Sequence, residues 1–254
     1  MDIVQPALII GVGGSGIDIV RRFKRRFELL YPETPYVRLL GIDTAPQTAA
    51  SDDLPRLSDD EFIHAANFQM EHFVGDAFID GHPEIREWWK GFDKLTLRHV
   101  SIGAGQRRPV GRLALFVECG RIAERLRSSL FAIFNDRVFA ALPAEYRRAV
   151  NVYIVASTCG GTGTGMFLDL AYIAAHLVTQ TMPQATAWVR SLLLLPSVFI
   201  DTGRISDSQV KLALRANAYG ALAELDFAMS RNNDLAPVKY PQLGKVLRSA
   251  PPFR

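Results

Sequence analysis

The chain has 254 residues, of which 48% are hydrophobic and 22% are charged, and its net charge is +3. This composition supports a sizeable core and excludes a disordered protein, and so small a charge gives no reason to expect a nucleic-acid partner. No apolar run reaches the ~18 residues of a membrane-spanning helix, and no secretion signal precedes the first apolar segment. Cys119 and Cys159 are too few for a disulfide framework, so we predict free thiols in a cytoplasmic protein.

Continuous apolar runs alternate with helical patterns along the chain. Four runs end in glycine or polar turns and predict buried parallel strands: Ile3–Val12, Tyr36–Ile42, Val150–Ala156 and Val189–Leu195. Four segments repeat apolar residues at steps of three and four and predict helices: Ile17–Leu30, Val110–Phe134, Met166–Thr179 and Ser208–Ser230. The alternation predicts an α/β fold, with a Rossmann-like parallel sheet and helices on both faces.

Residues 45–99 do not follow this rhythm, and two basic segments need a separate interpretation. Residues 45–99, which hold four of the five histidines, predict a helical insertion within one domain spanning residues 1–254. In that insertion Trp88 and Trp89 indicate either local core or a docking patch. The basic run Arg21–Arg26 favours a solvated helix face over a site for an acidic partner or a membrane. The basic tail after Ser230 reads as a connection rather than a finished terminus.

A first glycine loop, residues 11–16, lies between an apolar strand and a helix and reads Gly-Val-Gly-Gly-Ser-Gly. Glycines let the chain approach an anion closely, and the positive helix N-terminus lies beside it. Such a loop would serve any dinucleotide site of the Rossmann type, and the alternative is a tight turn that holds no ligand.

A second glycine loop, Gly160–Gly165, has the same setting and reads Gly-Gly-Thr-Gly-Thr-Gly. The hydroxyl groups of Thr162 and Thr164 would add donors to the backbone amides. Two such loops on different strands indicate several phosphates held from two sides.

A third loop, residues 103–112, precedes a helix and combines small residues with arginines. The forked guanidinium donors of Arg107 and Arg108 suit a terminal phosphate, although solvated arginines are the alternative. The chain has no G-x-x-x-x-G-K-[ST] motif, no H-E-x-x-H and no C-x-x-C. It is therefore not a P-loop protein, and the sequence gives no reason to expect a metal enzyme or a nucleophilic cysteine.

Together these loops resemble those of the tubulin/FtsZ superfamily of GTPases, and bacterial tubulin-like proteins in particular. Gly160–Gly165 is similar to the end of the family's signature G-G-G-T-G-[ST]-G, and the first glycine loop is similar to the first loop of FtsZ. The segment Asp43–Gln47 resembles the N-T-D-A-Q after the second strand. Gly103-Ala104-Gly105 with Gly111 has the spacing of the family's γ-phosphate loop.

The resemblance implies a site for GTP or GDP with Mg²⁺. Both glycine loops would contact the phosphates, and the third loop would sense the γ-phosphate. The segment after the second strand would approach phosphate and Mg²⁺, and Asp201 or Asp207 would meet the ribose. The implied nucleotide-binding residues are Gly11, Gly13, Gly14, Ser15, Gly16, Asp18, Asp43, Thr44, Gly103, Ala104, Gly105, Gln106, Arg107, Gly160, Gly161, Thr162, Gly163, Thr164, Gly165 and Asp201.

Several positions depart from the family pattern. Cys159 replaces the first signature glycine, and the proline of the third loop is shifted by one place. Asp18 stands where FtsZ has an asparagine that touches the base, and its carboxylate can still accept hydrogen bonds from guanine. In the family, hydrolysis needs an acidic N-x-D-x-x-D loop that the next subunit in a filament donates, and after Asn217 no sequence matches that loop. The chain should therefore hydrolyse GTP negligibly unless an acidic loop completes the site.

The central helix and activation domain of the family are also unmatched, so we expect the N-terminal part of a larger, self-assembling, cytoskeletal-like protein. Two other functions stay open. One is an NAD(P)-dependent Rossmann oxidoreductase that uses the first glycine loop, with Asp43 on the ribose. The other is a tubulin-like scaffold that has lost its nucleotide because Cys159, Arg107 and Arg108 crowd the pocket.

Overall fold

The computed structural model describes residues 4–32, 34–49, 54–66, 73, 76–86, 88–89, 104–203, 205–230, 235–248 and 250–254. Its strands are β1 (Ala7–Val12), β2 (Val37–Asp43), β3 (Phe62–His64), β4 (Ala149–Ser157), β5 (Thr186–Leu194), β6 (Leu235–Tyr240) and β7 (Gly244–Arg248). Its helices are α1 (Gly13–Leu30), α2 (Asp76–Gly81), α3 (Pro83–Arg86), α4 (Arg108–Val117), α5 (Cys119–Phe134), α6 (Arg137–Ala141), α7 (Ala144–Arg147), α8 (Gly161–Thr181), α9 (Ser197–Ile200) and α10 (Ser208–Met229).

Five strands form one parallel sheet in the order β3-β2-β1-β4-β5. The sheet and its flanking helices confirm the predicted α/β Rossmann-like fold. Ile10 of β1 lies between Leu40 of β2 and Ile154 of β4, and all three side chains are fully buried. Because β1 and β4 are neighbours, the turns after their carboxyl ends lie side by side.

Alternate residues of the central strands are buried in two separate clusters. Leu8 and Ile10 belong to the larger cluster, together with side chains of α4, α5 and α8. Val155 belongs to a smaller cluster with Ile17 and Val20 of α1. Successive side chains of a strand point to opposite faces, so helices cover the sheet on both sides. This explains why the strands are continuous apolar runs.

Helix bounds differ from the predicted ones at informative places. Helices α1 and α8 begin at Gly13 and Gly161, so most of each glycine loop forms a first helical turn. The long helix predicted over 110–134 is two helices, separated at Glu118, which has φ −89° and ψ 7°. The Glu118 carboxylate is buried and lies 2.9 Å from the guanidinium of Arg121.

The described part of residues 45–99 contains α2 and α3, as predicted, and also strand β3, which was not predicted. Trp89 is buried in the larger core cluster, and Trp88 packs edge-on against it with ring centroids 6.2 Å apart. Arg112 lies 5.0 Å over the Trp88 ring. The two tryptophans therefore pack locally, which is the first of the two interpretations offered by the sequence.

The basic run on α1 is not a uniformly solvated face. Arg22, Arg25 and Arg26 are exposed, but Arg21 is fully buried. Its guanidinium donates to the backbone oxygens of Ala49, Leu54 and Pro55 and to Thr48 Oγ1, at 2.6 to 2.9 Å. Gln47 closes the same segment, because its side-chain amide bonds the backbone N–H and C=O of Leu57 at 2.7 and 3.1 Å. Arg21 thus fastens the chain after β2 to α1.

After α10, strands β6 and β7 form an antiparallel hairpin, where the sequence predicted only a connection. Tyr240 of this hairpin is buried and packs near Phe116. Cys119 and Cys159 are free, as predicted, and both are buried. Burial raises the pKa of the Cys119 thiol to about 12. Within the described residues, none of the helices has the length and apolarity needed to cross a bilayer.

Candidate functional site

A cleft of about 320 Å³ lies at the carboxyl edge of the sheet. Helices α1 and α8 both begin there, and their cap residues Val12 and Gly160 have no side-chain oxygen to accept from the first N–H groups. Two helix N-termini with uncapped donors favour an anion in this space. The residues that line this carboxyl-edge cleft are Val12, Gly13, Gly14, Ser15, Ala104, Gly105, Gln106, Ser157, Cys159, Gly160, Gly161, Thr162, Gly163, Phe199, Ile205 and Leu214.

The second glycine loop also packs tightly against α4. A Cβ at Gly161 would lie 2.6 Å from the backbone N of Arg107, and one at Gly165 would lie 2.3 Å from Arg108 O. On the facing helix, a Cβ at Gly111 would lie 2.3 Å from Gly161 O. These three glycines bring the two backbones together without side chains between them. The sequence predicts phosphate binding for the glycines of this loop, but close packing of the two helices explains Gly161 and Gly165.

Gly14 and Gly160 have more space than the other glycines of the two loops. A Cβ at Gly14 would lie 3.8 Å from Asp43 Oδ2, which is ordinary contact, and one at Gly160 would meet nothing within 4 Å. Gly16 differs, because its Cβ would lie 2.2 Å from Val155 O. Gly16 lets α1 pack against β4, whereas Gly14 and Gly160 face the carboxyl-edge cleft.

Asp43, Thr44 and Thr162 form a buried polar cluster below the first turn of α1. The hydroxyl oxygens of Thr44 and Thr162 are 2.7 Å apart, and Thr44 O lies 3.0 Å from His64 Nε2. Burial raises the pKa of the Asp43 carboxyl, while hydrogen bonds from the Thr162 side chain and the Ala45 and Thr44 backbone act against this. In nucleotide sites Mg²⁺ is commonly bound by one or two carboxylates together with phosphate oxygens, and Asp43 is a carboxylate of that kind.

The third loop forms a tight turn at the rim of the carboxyl-edge cleft. The N–H of Arg107 donates to Ala104 O at 2.9 Å, and the two central residues, Gly105 and Gln106, have φ of 54° and 62°. Consecutive positive φ values define a type I′ turn, whose second central position favours glycine or asparagine. Gly103, the remaining small residue of the predicted γ-phosphate loop, lies outside the described residues.

Several predicted site residues lie in a neighbouring cleft of about 360 Å³. This arginine cleft is lined by Trp88, Gln106, Arg107, Arg108, Pro109, Arg112, Thr164, Gly165, Ala216, Asn217 and Glu224. The Arg108 guanidinium lies 2.7 Å from the Glu224 carboxylate. Arg112 pairs with the buried carboxylate of Asp169 at 2.7 Å, an ion pair that joins α4 to α8. The Thr164 hydroxyl donates to the backbone oxygen of Gly160, the residue that caps the N-terminus of α8, so this donor is already engaged.

The three acidic residues assigned to the base or the ribose are not among the residues that line the carboxyl-edge cleft. Asp18 is partly buried on α1, with a carboxylate oxygen 3.6 Å from Arg21. Asp201 is exposed and caps the carboxyl end of α9. Asp207 caps the N-terminus of α10, accepting from the N–H groups of Gln209 and Val210 at 2.7 and 3.1 Å.

Sequence reasoning missed the apolar wall of the carboxyl-edge cleft, formed by Phe199, Ile205 and Leu214. These side chains follow the carboxyl end of β5, and such ends carry ligand-binding loops in parallel sheets. Their position after Pro196-Ser197 was the available signal, although apolar residues there read equally well as core. An apolar wall opposite uncapped helix N-termini suits a ligand with a ring at one end and charge at the other.

The fold and this cleft define a Rossmann-like α/β protein with two glycine-rich helix starts and a tight turn around one anion-binding space. A family model described as "Tubulin like" matches residues 8–254, so the chain belongs to that family and to the tubulin/FtsZ superfamily. This confirms the family inferred from the loops.

Two solved structures are similar to the chain at low identity. CetZ from Methanosaeta thermophila strain DSM 6194 is 16% identical, over 87% of this chain and 42% of that one, with a TM-score of 0.43. CetZ2 from Haloferax volcanii, solved as a GTPγS-bound protofilament, is 15% identical, over 85% of this chain and 56% of that one, with a TM-score of 0.34. The chain thus spans about half the length of these proteins. Comparison with curated proteins finds no match.

Proposed function

We propose that the chain is a GTP-binding module of a tubulin-like protein. The observation that carries this proposal is the convergence of two uncapped helix N-termini on one cleft, since such termini bind phosphate through backbone N–H groups and the helix dipole. The choice of guanine rests on membership of the tubulin/FtsZ superfamily. Self-assembly of a longer protein belongs to the same proposal.

Each part of the carboxyl-edge cleft has a role in this proposal. The first turns of α1 and α8 hold the inner phosphates through their backbone N–H groups, with Ser15 as a hydroxyl donor. The Thr162 hydroxyl is engaged with Asp43 and Thr44. The turn at Gly105-Gln106 meets the terminal phosphate. The apolar wall covers the ribose or base. Asp18 lies outside the residues that line the cleft, on the same helix as Ser15, and its carboxylate would accept from guanine N1–H and N2–H₂ where the base extends beyond the cleft.

Asp43 is the carboxylate through which Mg²⁺ would be held. Among the described residues, no three His, Cys, Asp or Glu side chains come together as a metal site. Mg²⁺ commonly binds through one or two carboxylates plus substrate phosphates, and Asp43 with a bound nucleotide fits that pattern. The ion should therefore bind with the nucleotide rather than before it.

The scaffold alternative required side chains that crowd the pocket. Cys159 is only 3% exposed, and Arg108 is held by Glu224 in the arginine cleft. Arg107 and Arg108 line the arginine cleft and not the carboxyl-edge cleft, and Cys159 is a buried part of the carboxyl-edge cleft's wall. The space of about 320 Å³ beside it supports a ligand-binding role.

Thermal unfolding with GTP–Mg²⁺ or NAD(P) tests the proposal against the oxidoreductase alternative. A ligand that binds the native state at about 100 times its Kd stabilises the protein by about 2.7 kcal/mol. We expect GTP–Mg²⁺ to raise Tm and NAD(P) to leave it unchanged. A rise with NAD(P) alone would support the oxidoreductase, and no change with either ligand, together with no heat in isothermal titration, would support the scaffold.

A matched pair of alanine substitutions locates the binding. Gly14→Ala places a methyl group in the cleft 3.8 Å from Asp43 Oδ2, where it competes with phosphate, but requires no backbone shift. Gly81→Ala adds the same group on α2, where nothing lies within 4 Å. We expect Gly14→Ala to weaken GTP binding about tenfold, or about 1.4 kcal/mol, with Tm nearly unchanged. Gly81→Ala should bind as wild type, and equal affinities in both variants would exclude this cleft.

A further inference from the structure

The side chain of Asn217, on α10, joins two walls of the carboxyl-edge cleft. Its Nδ2 donates to Gln106 O at 2.7 Å and to Cys159 O at 2.8 Å. Gln106 belongs to the turn before α4, and Cys159 belongs to the segment between β4 and α8. One amide group therefore links the third loop to the second glycine loop, with one N–H for each carbonyl.

The turn that Asn217 holds is conformationally strained. Gln106 has φ 62°, a left-handed value that costs a non-glycine residue about 1 kcal/mol or more. A hydrogen bond from Asn217 to the carbonyl of this same residue offsets part of that cost. A strained backbone conformation persists only where its surroundings stabilise it, and here the Asn217 side chain of α10 does so.

The same face of α10 is shaped to receive the start of α4. Asn217, Gly220 and Glu224 are three and four residues apart, which places them on one face of the helix. The Glu224 carboxylate lies 2.7 Å from the Arg108 guanidinium. A Cβ at Gly220 would lie 2.3 Å from Arg108 Nη1, so the missing side chain makes room for this arginine.

We propose that Asn217 is a positioning residue that fixes the third loop for recognition of a terminal phosphate. This inference rests on the proposed function. In that function the glycine loops hold the inner phosphates and the turn at Gly105-Gln106 meets the terminal one. Loss of Asn217 should release the turn and leave the helix N-termini in place, so that affinity for a triphosphate falls more than affinity for a diphosphate.

Isothermal titration of Asn217→Ala with GTPγS–Mg²⁺ and with GDP tests the proposal. We expect about a tenfold loss of affinity for GTPγS, since losing one or two hydrogen bonds costs about that much, and less than about a twofold loss for GDP. Gln209→Ala removes an exposed amide from the same helix and should change neither affinity. An equal loss for both nucleotides overturns the positioning role but not the proposed function. A wild-type chain that binds neither nucleotide overturns both.

A second substitution separates positioning from general damage to the fold. Gln106→Gly permits positive φ without strain, so the turn needs less support from Asn217. In that background we expect Asn217→Ala to lower GTPγS affinity by less than about threefold. An undiminished tenfold loss there contradicts the proposal. If Asn217→Ala does not fold, Asn217→Ser supplies the same comparison, because a serine hydroxyl brings no charge and has a single proton, so it cannot donate to both carbonyls.

Discussion

Asp43, the residue proposed to hold Mg²⁺, lies in an environment that is unfavourable for its charge. Burial raises the pKa of its carboxyl above the ordinary 3.8, so the ionised form is less stable in the folded protein than in the unfolded chain. This penalty is absent where both states are protonated, below the ordinary pKa, and develops as pH rises through the folded pKa. The free energy of unfolding is therefore lowered at neutral pH by the group proposed to hold Mg²⁺.

Asp43→Asn should accordingly raise the Tm of the ligand-free protein at about pH 7, with a difference from wild type that shrinks toward about pH 4. The same variant should bind GTP–Mg²⁺ more weakly, because the carboxylate is gone. Thermal unfolding across this pH range and isothermal titration measure the two effects. Asp226→Asn, at an exposed position on α10, is the control and should alter neither quantity. A lower Tm for Asp43→Asn at neutral pH would show that the hydrogen bonds of the ionised carboxylate outweigh its burial.

Single residues of the site were predictable from the sequence to different degrees. Ser15 and Thr162 follow apolar strands within glycine motifs, and the structure brings both to the carboxyl-edge cleft. Phe199 was not predictable, because an apolar side chain gives the same sequence signal in a core as in a pocket wall. Arg21 was predicted to be solvated, which is wrong. A helical pattern predicts which way a side chain points, but it does not show that carbonyl groups of a distant segment lie there to accept its hydrogen bonds.

At the scale of elements, the fastening of the chain after β2 to α1 depends on Arg21. In Arg21→Leu the backbone carbonyls of Ala49, Leu54 and Pro55 would lose the guanidinium that donates to them, and the leucine would cover them from water. We expect a loss of about 3 to 5 kcal/mol in the free energy of unfolding, as for other broken buried polar clusters. Urea unfolding measures the change.

Arg22→Leu is the neighbouring control, because Arg22 is exposed and donates to Asp18 O at 3.3 Å, within its own helix. Surface substitutions of this kind change the free energy of unfolding by about 0.5 kcal/mol or less. Similar losses in both variants would show that the charge of the basic run matters, rather than the bonds made by Arg21.

The main strands and helices were predictable because sheet and helix faces impose periods on the sequence. The continuous apolar runs of β1, β2 and β4 follow from burial on both faces. Strand β3 was missed because three residues, Phe62–His64, are too few to show a period. The break at Glu118 was missed because the apolar stripe continues from α4 into α5, with Phe116 and Cys119 both buried.

At the scale of the whole molecule, binding and hydrolysis should be separable. Hydrolysis of GTP requires a group that orients the attacking water, and this chain has no match to the acidic loop that supplies it in the superfamily. We therefore expect residues 1–254 to bind GTP and to release phosphate at no more than the rate of GTP–Mg²⁺ alone. A phosphate-release assay in dilute solution measures this, and robust turnover would contradict the prediction.

The close contact of α4 with α8 has a consequence for how related sequences are compared. Gly111, Gly161 and Gly165 are required wherever these two helices cross at this distance, whether or not a ligand is bound. A descendant that had abandoned nucleotide altogether would still retain these three glycines, because selection on folding alone preserves them. Gly14 and Gly160 have room for a methyl group, so the packing of the fold does not require glycine at either position. We therefore expect a family member that has lost nucleotide binding but kept the fold to differ at those two positions and to retain the other three glycines.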